Sequence, residues 1–287
     1  MQDNKKNLKK QMSKNNLHFN KALGQNFLTD DGILDDIIFS ADLDKNTNIL
    51  EVGPGAGALT ERLAKYAKKV VAVEIDTSLI PMLKEELSSF DNLNIINEDI
   101  LKVDLKKLIE DEFDGGETSV VANLPYYITT PIVMKLLEEN PGFKNIVIMV
   151  QKEVADRLAA IPGGKNCGAI TYSVNYYCEV EKVVDVPPEA FMPAPKVWSS
   201  VIKLTLRDKP PVECKDKNHL FELIKSAFLM RRKTFINCVS QSKTIACDKE
   251  TLKEILNELG ISETIRGEAL SLVQFSQISD AILARNL

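Results

Sequence analysis

Segment 119–131, SVVANLPYYITTP, contains the residues whose types and order most clearly suggest chemistry. After an apolar strand it places Asn123, Leu124, Pro125 and Tyr126 in a row. The carboxamide oxygen of Asn123 and the backbone carbonyl of Leu124 can accept the two hydrogens of an aromatic amine and favour a tetrahedral nitrogen. Pro125 holds the preceding carbonyl in extended geometry, and Tyr126 offers a flat face for a flipped-out base. This order suits methylation of adenine N6, with a strand-end turn and a core tyrosine as the alternative.

Three earlier strand ends carry residues that suit a cofactor containing a nucleoside. The first strand ends in EVGPGAG, where Gly53 and Gly55 let the backbone approach a ligand and leave helix N-terminal N–H groups free. The second ends in Glu74, which can accept both hydroxyl protons of a ribose, and the third ends near Asp99, which can accept from an adenine amine. Ligands of open α/β sheets bind beyond the carboxyl ends of the strands, so these ends predict one shared site. For the glycine motif alone, a tight strand-to-helix turn is the alternative.

The elements that must position these residues follow a strand–helix alternation from about residue 48 to residue 206. Such alternation predicts right-handed βαβ units and an α/β fold with a mainly parallel sheet. The last two strands are joined only by loop 187–198, which predicts an antiparallel hairpin at one edge. RDKPP at 207–211 breaks the pattern, and beyond it the sequence predicts helices, including a helical stretch over 219–240. We therefore expect a flexible basic tail over 1–17, an α/β domain over 18–207 and a small C-terminal all-α domain over 208–287.

Composition limits the possible chemistry. The chain is 44% hydrophobic, and no apolar run approaches the roughly 18 residues that span a bilayer, so no membrane partner is expected. Five cysteines without CxxC spacing predict reduced thiols of a cytoplasmic protein. The chain has only two histidines, which nearly excludes histidine-based metal centres and catalytic triads. We expect no metal.

The distribution of charge leaves a nucleic-acid partner open. A net charge of −5 and a pI of about 5.3 argue against such a partner at face value. However, lysines are concentrated near the N-terminus, and KSAFLMRRK at 225–233 has four positive charges and no negative one. Arg231, Arg232 and Lys233 are therefore candidate RNA contacts. A solvated helix face is the alternative.

Loop 187–198 contains three further candidates. Phe191 could form the second side of an aromatic clamp opposite Tyr126, or it could be a loop phenylalanine that fills a gap. Lys196 could contact phosphate or be an ordinary solvated lysine. Trp198, the only tryptophan, is expected in the core.

Several motifs together closely resemble the S-adenosylmethionine-dependent dimethyladenosine transferases of small-subunit (16S) ribosomal RNA. They occur in family order from residue 18 onward and include HFNKALGQNFL, ILEVGPGAGALTERL, VVAVEID, NEDIL, NLPYYITTPI, MVQKEVADRL, FMPAPKVWSSVI and FLMRRKTFINC. The resemblance implies a Rossmann-like class I methyltransferase sheet followed by a helical RNA-binding domain. It also implies that segment 24–28 folds over the cofactor. By that resemblance, S-adenosylmethionine is bound by Asn26, Leu28, Gly53, Glu74, Asp99 and Asn123.

The resemblance further implies the reaction and the partners. Family members add two methyl groups to N6 of each of two adjacent adenosines in a hairpin near the 3′ end of the small-subunit RNA. We accordingly expect a cytoplasmic monomer that acts in small-subunit biogenesis. Its expected substrate is RNA within an assembling 30S subunit, with naked RNA as the alternative.

Three other functions are compatible with parts of the sequence. The related methyltransferase that modifies large-subunit RNA and confers macrolide resistance shares a similar Asn-x-Pro-Tyr motif, although FLMRRKTFINC and the Phe191 loop favour the small-subunit reaction. A ribosome-assembly or transcription factor without turnover is opposed by the intact Asn123, Tyr126 and Glu74. A nicotinamide dehydrogenase would need a proton relay beside the strand ends, and the sequence offers none.

Overall fold

The computed structural model describes residues 2–20, 23–230 and 232–285. The chain divides into two compact units, the first formed by Met1–Ala155 with Val180–Leu206 and the second by Asp156–Glu179 with Arg207–Leu287. The sequence predicted one cut near residue 207, whereas the second unit also takes residues 156–179. The reason is that Tyr172 and Tyr176 belong to the core of the helical unit.

Among the described residues, seven strands form a mixed sheet. In spatial order they are β4 (Leu93–Asn97), β3 (Lys69–Glu74), β2 (Asn48–Val52), β5 (Thr118–Asn123), β6 (Phe143–Gln151), β9 (Ser199–Leu206) and β7 (Cys178–Val186). Neighbouring strands from β4 to β6 pair in parallel, and β9 runs antiparallel to β6. The strands β2, β3, β5 and β6 are almost continuously buried, as expected for a sheet covered on both faces. The predicted mainly parallel sheet with an antiparallel edge is confirmed.

Helices and one short strand pair complete the first unit. The helices are α1 (Gln2–Lys14), α2 (Asp31–Ser40), α3 (Ala58–Tyr66), α4 (Ile80–Glu86), α5 (Leu105–Phe113), α6 (Thr129–Glu138) and α7 (Lys152–Leu158), which contains the end of this unit's first segment. Side chains of Asp30 and Asp104 accept from backbone N–H groups at the starts of α2 and α5. Strand β1 (Phe27–Leu28) pairs antiparallel with β8 (Phe191–Met192), which follows a 3₁₀ turn at Pro188–Ala190.

The N-terminal residues form a packed helix, where the sequence predicted a flexible tail over 1–17. On α1, Leu8 and Met12 are 6% and 5% exposed and belong to an apolar cluster with Phe27, Leu83 and other residues of the first unit. Leu8 and Met12 lie four residues apart, so they share one face of the helix. The abundant lysines concealed this short apolar stripe, which is the reason the sequence-based expectation differs.

The second unit is helical around its own core. It contains α8 (Ala169–Tyr177), α9 (Lys217–Ala227), α10 (Phe235–Val239), α11 (Lys249–Glu258), α12 (Leu272–Arg285) and a 3₁₀ turn at Gly267–Ala269. The ring of Tyr172 packs edge-on against Phe275 at 5.0 Å, and its hydroxyl donates to the Leu270 carbonyl at 2.7 Å. Asp216 and Asp248 cap α9 and α11. None of the helices in the described ranges is long and apolar enough to cross a membrane.

Candidate active site

The carboxyl ends of the parallel strands frame a cleft of about 1090 Å³ that includes the space at its mouth. Gly53 directly follows β2, Glu74 ends β3, Asp99 follows β4 and Asn123 ends β5. The structure thus brings most of the predicted site residues together. Those that line the cleft are Asn26, Leu28, Gly53, Gly55, Glu74, Asp99, Asn123, Leu124, Pro125 and Tyr126.

The glycine loop between β2 and α3 keeps one side of the cleft open. Gly53 and Gly55 have φ values of +71° and +58°, a backbone region that favours glycine. A Cβ atom built on Gly53 would meet no atom within 4 Å, whereas one on Gly55 would lie 2.8 Å from the Phe27 ring. Gly53 therefore borders free space, while Gly55 allows segment 24–28 to approach the loop.

Glu74 is fixed by backbone hydrogen bonds at the end of β3. Its Oε1 accepts from the Asp76 N–H at 2.8 Å, and its Oε2 accepts from the Gly55 N–H at 3.1 Å. Burial raises the pKa of the Glu74 carboxyl, and these backbone donors oppose the rise. Because an ionised carboxylate has about four acceptor positions, each oxygen can accept one further hydrogen bond.

Glu51 is a residue of the cleft for which the sequence analysis gave no role. It lies on β2, lines the cleft and is 1% exposed. Its Oε2 has no hydrogen-bond partner among the described residues. Burial raises the pKa of the Glu51 carboxyl to about 8. The signal available in the sequence was a single acidic residue inside the apolar strand NILEV.

Asn123 is oriented by a contact to segment 24–28. Its Nδ2 donates to the backbone carbonyl of Asn26 at 3.1 Å, which leaves its side-chain oxygen as the acceptor for a ligand. The following residue, Leu124, donates its backbone N–H to the Met149 carbonyl at 3.1 Å. Two hydrogen bonds therefore fix the predicted acceptor, one from the Asn123 side chain to Asn26 and one from the backbone of Leu124 to Met149.

Tyr126 is held by its hydroxyl at the mouth of the cleft. That hydroxyl lies 2.6 Å from Ser199 Oγ on β9, and burial raises the pKa of Tyr126, so the phenol stays neutral. The Pro125 carbonyl accepts from the Thr129 hydroxyl at 3.0 Å, which fixes the turn into α6. The neighbouring Tyr127 also lines the cleft but is exposed. Ser199 was not among the predicted site residues.

Segment 24–28 is tied to the rest of the first unit at several points. Gln25 Nε2 donates to Asp76 Oδ2 at 2.7 Å, and Asn26 Nδ2 donates to the Gly24 carbonyl at 3.0 Å. Phe27 and Leu28 form β1, which pairs with β8. The contact between Gln25 and Asp76 joins residues 51 positions apart, which is why sequence spacing did not predict it.

Two aromatic residues of loop 187–198 differ from expectation. Phe191 is 1% exposed, pairs with Leu28 and belongs to an apolar core cluster, so it does not form an open face opposite Tyr126. The β1–β8 pairing buries its ring, which matches the alternative of a phenylalanine that fills a gap. Trp198 was expected in the core, but it is 50% exposed because it precedes the buried part of β9. Lys196 is exposed.

Arg232 and Lys233 lie in a turn between two helices, not in a continuous helix. Helix α9 ends at Ala227 and α10 begins at Phe235, so the helix predicted over 219–240 is interrupted. Thr234 caps α10 through its hydroxyl, which explains where the second helix starts. Arg232 and Lys233 are exposed in this turn, and Arg231 lies outside the described residues.

The part of the chain that the structure describes shows no group of three or more His, Cys, Asp or Glu arranged to hold a metal ion. The cleft itself presents positioned acceptors, backbone donors and an aromatic face.

Comparison with known proteins gives consistent results. The family model described as "Ribosomal RNA adenine dimethylase" matches residues 16–278. The "Ribosomal RNA small subunit methyltransferase A" of Lachnoclostridium phytofermentans is 51% identical over 265 residues, which cover 92% of this chain and 91% of that protein. The protein of the same name from Clostridioides difficile is 48% identical over 274 residues, covering 96% and 94%.

Solved structures extend the similarity to the fold. A dimethyladenosine transferase from Plasmodium falciparum aligns with a TM-score of 0.73 and 28% identity, covering 88% of this chain and 95% of that one. The 23S rRNA methyltransferase ErmE aligns with a TM-score of 0.67 and 24% identity over 90% and 99% of the two chains, which supports the fold alone. The resemblance inferred from the sequence motifs is confirmed, and the chain belongs to the ribosomal RNA adenine dimethylase family.

Proposed function

We propose that this chain transfers methyl groups from S-adenosylmethionine to N6 of two adjacent adenosines in a hairpin near the 3′ end of small-subunit (16S) ribosomal RNA, giving dimethyladenosines. Membership of the adenine dimethylase family supports the reaction, and the small-subunit methyltransferases at 46–51% identity support the choice of RNA. The observation that carries the proposal is Asn123, oriented by Asn26, beside the ring of Tyr126 at the mouth of one cleft.

The cleft fits S-adenosylmethionine by several independent features. Glu74 has acceptor capacity left for ribose hydroxyls, and Asp99 is close enough to the cleft to accept from an adenine amine. Gly53 leaves room for the ligand where a side chain would intrude. The unpartnered Glu51 oxygen suits the positively charged amino group of the methionine part of the molecule, and that positive charge would favour the ionised form of the Glu51 carboxyl. When bound, S-adenosylmethionine supplies a methyl carbon made electrophilic by its positively charged sulfur.

The protein's own part in the reaction is to prepare the target nitrogen. The Asn123 side-chain oxygen and the Leu124 carbonyl accept the hydrogens of the adenine amine, which withdraws its lone pair from the ring and directs it at the methyl carbon. Tyr126 stacks on the base and holds it out of its helix. In each transfer the methyl carbon leaves the sulfur as it bonds to the nitrogen, and the nitrogen, now positively charged, releases one proton to solvent. After the first transfer one N–H remains, so one acceptor is sufficient to orient the nitrogen for the second methyl group.

The RNA contacts outside the cleft are a further part of the proposal. Lys196 in the first unit and Arg232 and Lys233 in the second are exposed, and Arg231 adjoins the latter pair in sequence. Cationic side chains of this kind bind phosphates and position RNA without reading its sequence. We propose that the chain acts as a cytoplasmic monomer on RNA within an assembling 30S subunit.

The proposal is tested by transfer of labelled methyl groups to purified small and large ribosomal subunits that lack the modification. The label should enter the small-subunit RNA, and the nucleosides released from it should include dimethyladenosine. Label confined to the large-subunit RNA would favour the related large-subunit reaction. A protein that binds subunits but transfers no label would be an assembly factor without turnover.

A further inference from the structure

Trp198 forms an exposed apolar surface beside the candidate active site. It is 50% exposed and the preceding Val197 is 44% exposed, although a tryptophan usually buries most of its large ring. Single exposed apolar residues are common, but here two follow one another directly before Ser199, the residue that holds Tyr126. Because the chain contains one tryptophan, this surface is chemically unique in the molecule.

The backbone around Trp198 is fixed at the edge of the sheet that holds the cleft. The Trp198 carbonyl accepts from the Lys152 N–H at 2.9 Å. The next residue, Ser199, pairs with Gln151 at the carboxyl end of β6, and its hydroxyl lies 2.6 Å from the Tyr126 hydroxyl. Adjacent Cα atoms are about 3.8 Å apart, so the indole is attached one residue away from the group that holds Tyr126.

The charge near Trp198 suits a nucleotide better than an apolar partner. Lys196, two residues earlier, is exposed, and a cation beside an exposed aromatic ring is the pattern of surfaces that bind single-stranded nucleic acid. When one adenosine is flipped into the cleft, its neighbour loses a stacking partner, which costs a few kcal/mol. A second aromatic surface near Tyr126 would offset that loss.

We propose that Trp198 is a stacking platform for the nucleobase next to the target adenosine, with Lys196 at the adjacent phosphate. This inference rests on the proposed function, because it assumes that the substrate is an RNA and that the target adenosine has a neighbouring base. It assigns a role in substrate binding to a residue that takes no part in the chemistry at N6.

The single tryptophan allows a direct test by intrinsic fluorescence. The full-length protein would be titrated with a short single-stranded oligoribonucleotide that contains two adjacent adenosines. A second oligoribonucleotide would carry abasic residues in place of the bases flanking one adenosine. Stacking predicts that the first oligonucleotide quenches Trp198 emission at saturation and that the second leaves it nearly unchanged. Equal quenching by both, or quenching by neither, would overturn the proposal.

Variants give a second, independent readout. Trp198→Ala should weaken binding of the two-adenosine oligonucleotide by about 5- to 150-fold, the range expected for loss of one stacked base, whereas Trp198→Phe should stay much closer to wild type. The matched control is Tyr66→Ala, because Tyr66 is 54% exposed but ends α3, a helix that leads away from the cleft edge. Unchanged affinity for S-adenosylmethionine in all three variants would show that the cleft is intact.

The outcomes separate this proposal from the proposed function. If wild-type protein methylates small-subunit RNA and Trp198→Ala binds and methylates equally well, the stacking role is wrong and the methyltransferase function stands. If wild-type protein transfers no methyl group at all, the proposed function fails first. Should Trp198→Ala not fold, the comparison of the two oligonucleotides with wild-type protein still decides the matter.

Discussion

Asn123 shows how a site of this kind works at the scale of single residues. Its amide nitrogen is engaged by the Asn26 carbonyl, so its oxygen is left as a fixed acceptor. Glu74 is similar, since backbone N–H groups hold the carboxylate and leave acceptor positions for a ligand. In both cases the sequence singled out a candidate residue at a strand end, and the structure reveals the partner that orients it.

Asn123→Ala should lower the rate of methyl transfer by two to three orders of magnitude and leave the fold intact. The reason is that one positioned acceptor lost at a transition state costs roughly 3–4 kcal/mol. Single-turnover methylation at saturating S-adenosylmethionine measures the effect. The control is Asn257→Ala, a change in α11 of the second unit. A rate above about a tenth of wild type would remove Asn123 from the chemistry.

Glu51→Gln should change how stability depends on pH. The folded-state pKa of about 8 lies above the usual value for glutamate, so between roughly pH 4.5 and 8 the folded state holds a proton that the unfolded state releases. The free energy of unfolding should therefore fall by up to about 1.4 kcal/mol per unit as pH rises through this range. A glutamine side chain cannot ionise, so the variant should lose this slope.

Urea unfolding of both proteins from pH 5 to pH 9 measures the difference. Replacement of the exposed Glu181 by Gln is the matched control and should keep the wild-type slope. Parallel curves for Glu51→Gln and wild type would mean that the Glu51 carboxyl ionises normally in the folded protein.

At the scale of elements, the sequence predicted the strands and their polar ends well because both signals are local. Apolar runs and the residues that follow them specify β2, β3 and β5 with their cleft residues. Phe191 could not be predicted in the same way, because its burial depends on pairing with Leu28, 163 positions earlier. The break near residue 228 was also missed, since apolar periodicity continues through it and only the Thr234 cap marks the new helix.

Helix α1 provides a prediction at this scale. Leu8→Ala should lower the free energy of unfolding by about 2 kcal/mol or more, because it empties a position in the cluster with Phe27 and Leu83. Lys9→Ala, at an exposed position of the same helix, should change it by less than about 0.5 kcal/mol. Urea unfolding measures both effects. If the two substitutions change the free energy of unfolding equally, Leu8 is not packed in solution, and the prediction of a flexible tail over residues 1–17 would be correct.

At the scale of the whole molecule, an acidic protein must bind RNA through local basic surfaces. The net charge of −5 disfavours a polyanion on average, yet Arg232 and Lys233 are exposed together in one turn of the second unit. Composition could not decide between an RNA contact and a solvated turn, because it carries no information on which charges share a surface.

Reversal of Arg231, Arg232 and Lys233 to Glu should weaken subunit binding and flatten its salt dependence. Each phosphate contact contributes about −0.7 to −0.9 to the slope of log affinity against log salt. Loss of three contacts should therefore make this negative slope shallower by about two to three units. Affinity for S-adenosylmethionine should stay unchanged. The same reversal of Lys45, Lys68 and Lys106, exposed residues of the first unit, is the matched control for net charge. An unaltered slope would mean that these basic residues are solvated and do not contact RNA phosphates.

Nucleoside analysis of small-subunit RNA, after treatment with the wild-type protein and with Asn123→Ala, tests both the proposed reaction and the role of Asn123. Unmodified 30S subunits, S-adenosylmethionine and each protein would be incubated, and the RNA digested and analysed by mass. Wild-type protein should give N6,N6-dimethyladenosine at two adjacent positions near the 3′ end, and the variant should give almost none. Methylation of another base, or equal dimethylation by Asn123→Ala, would contradict it.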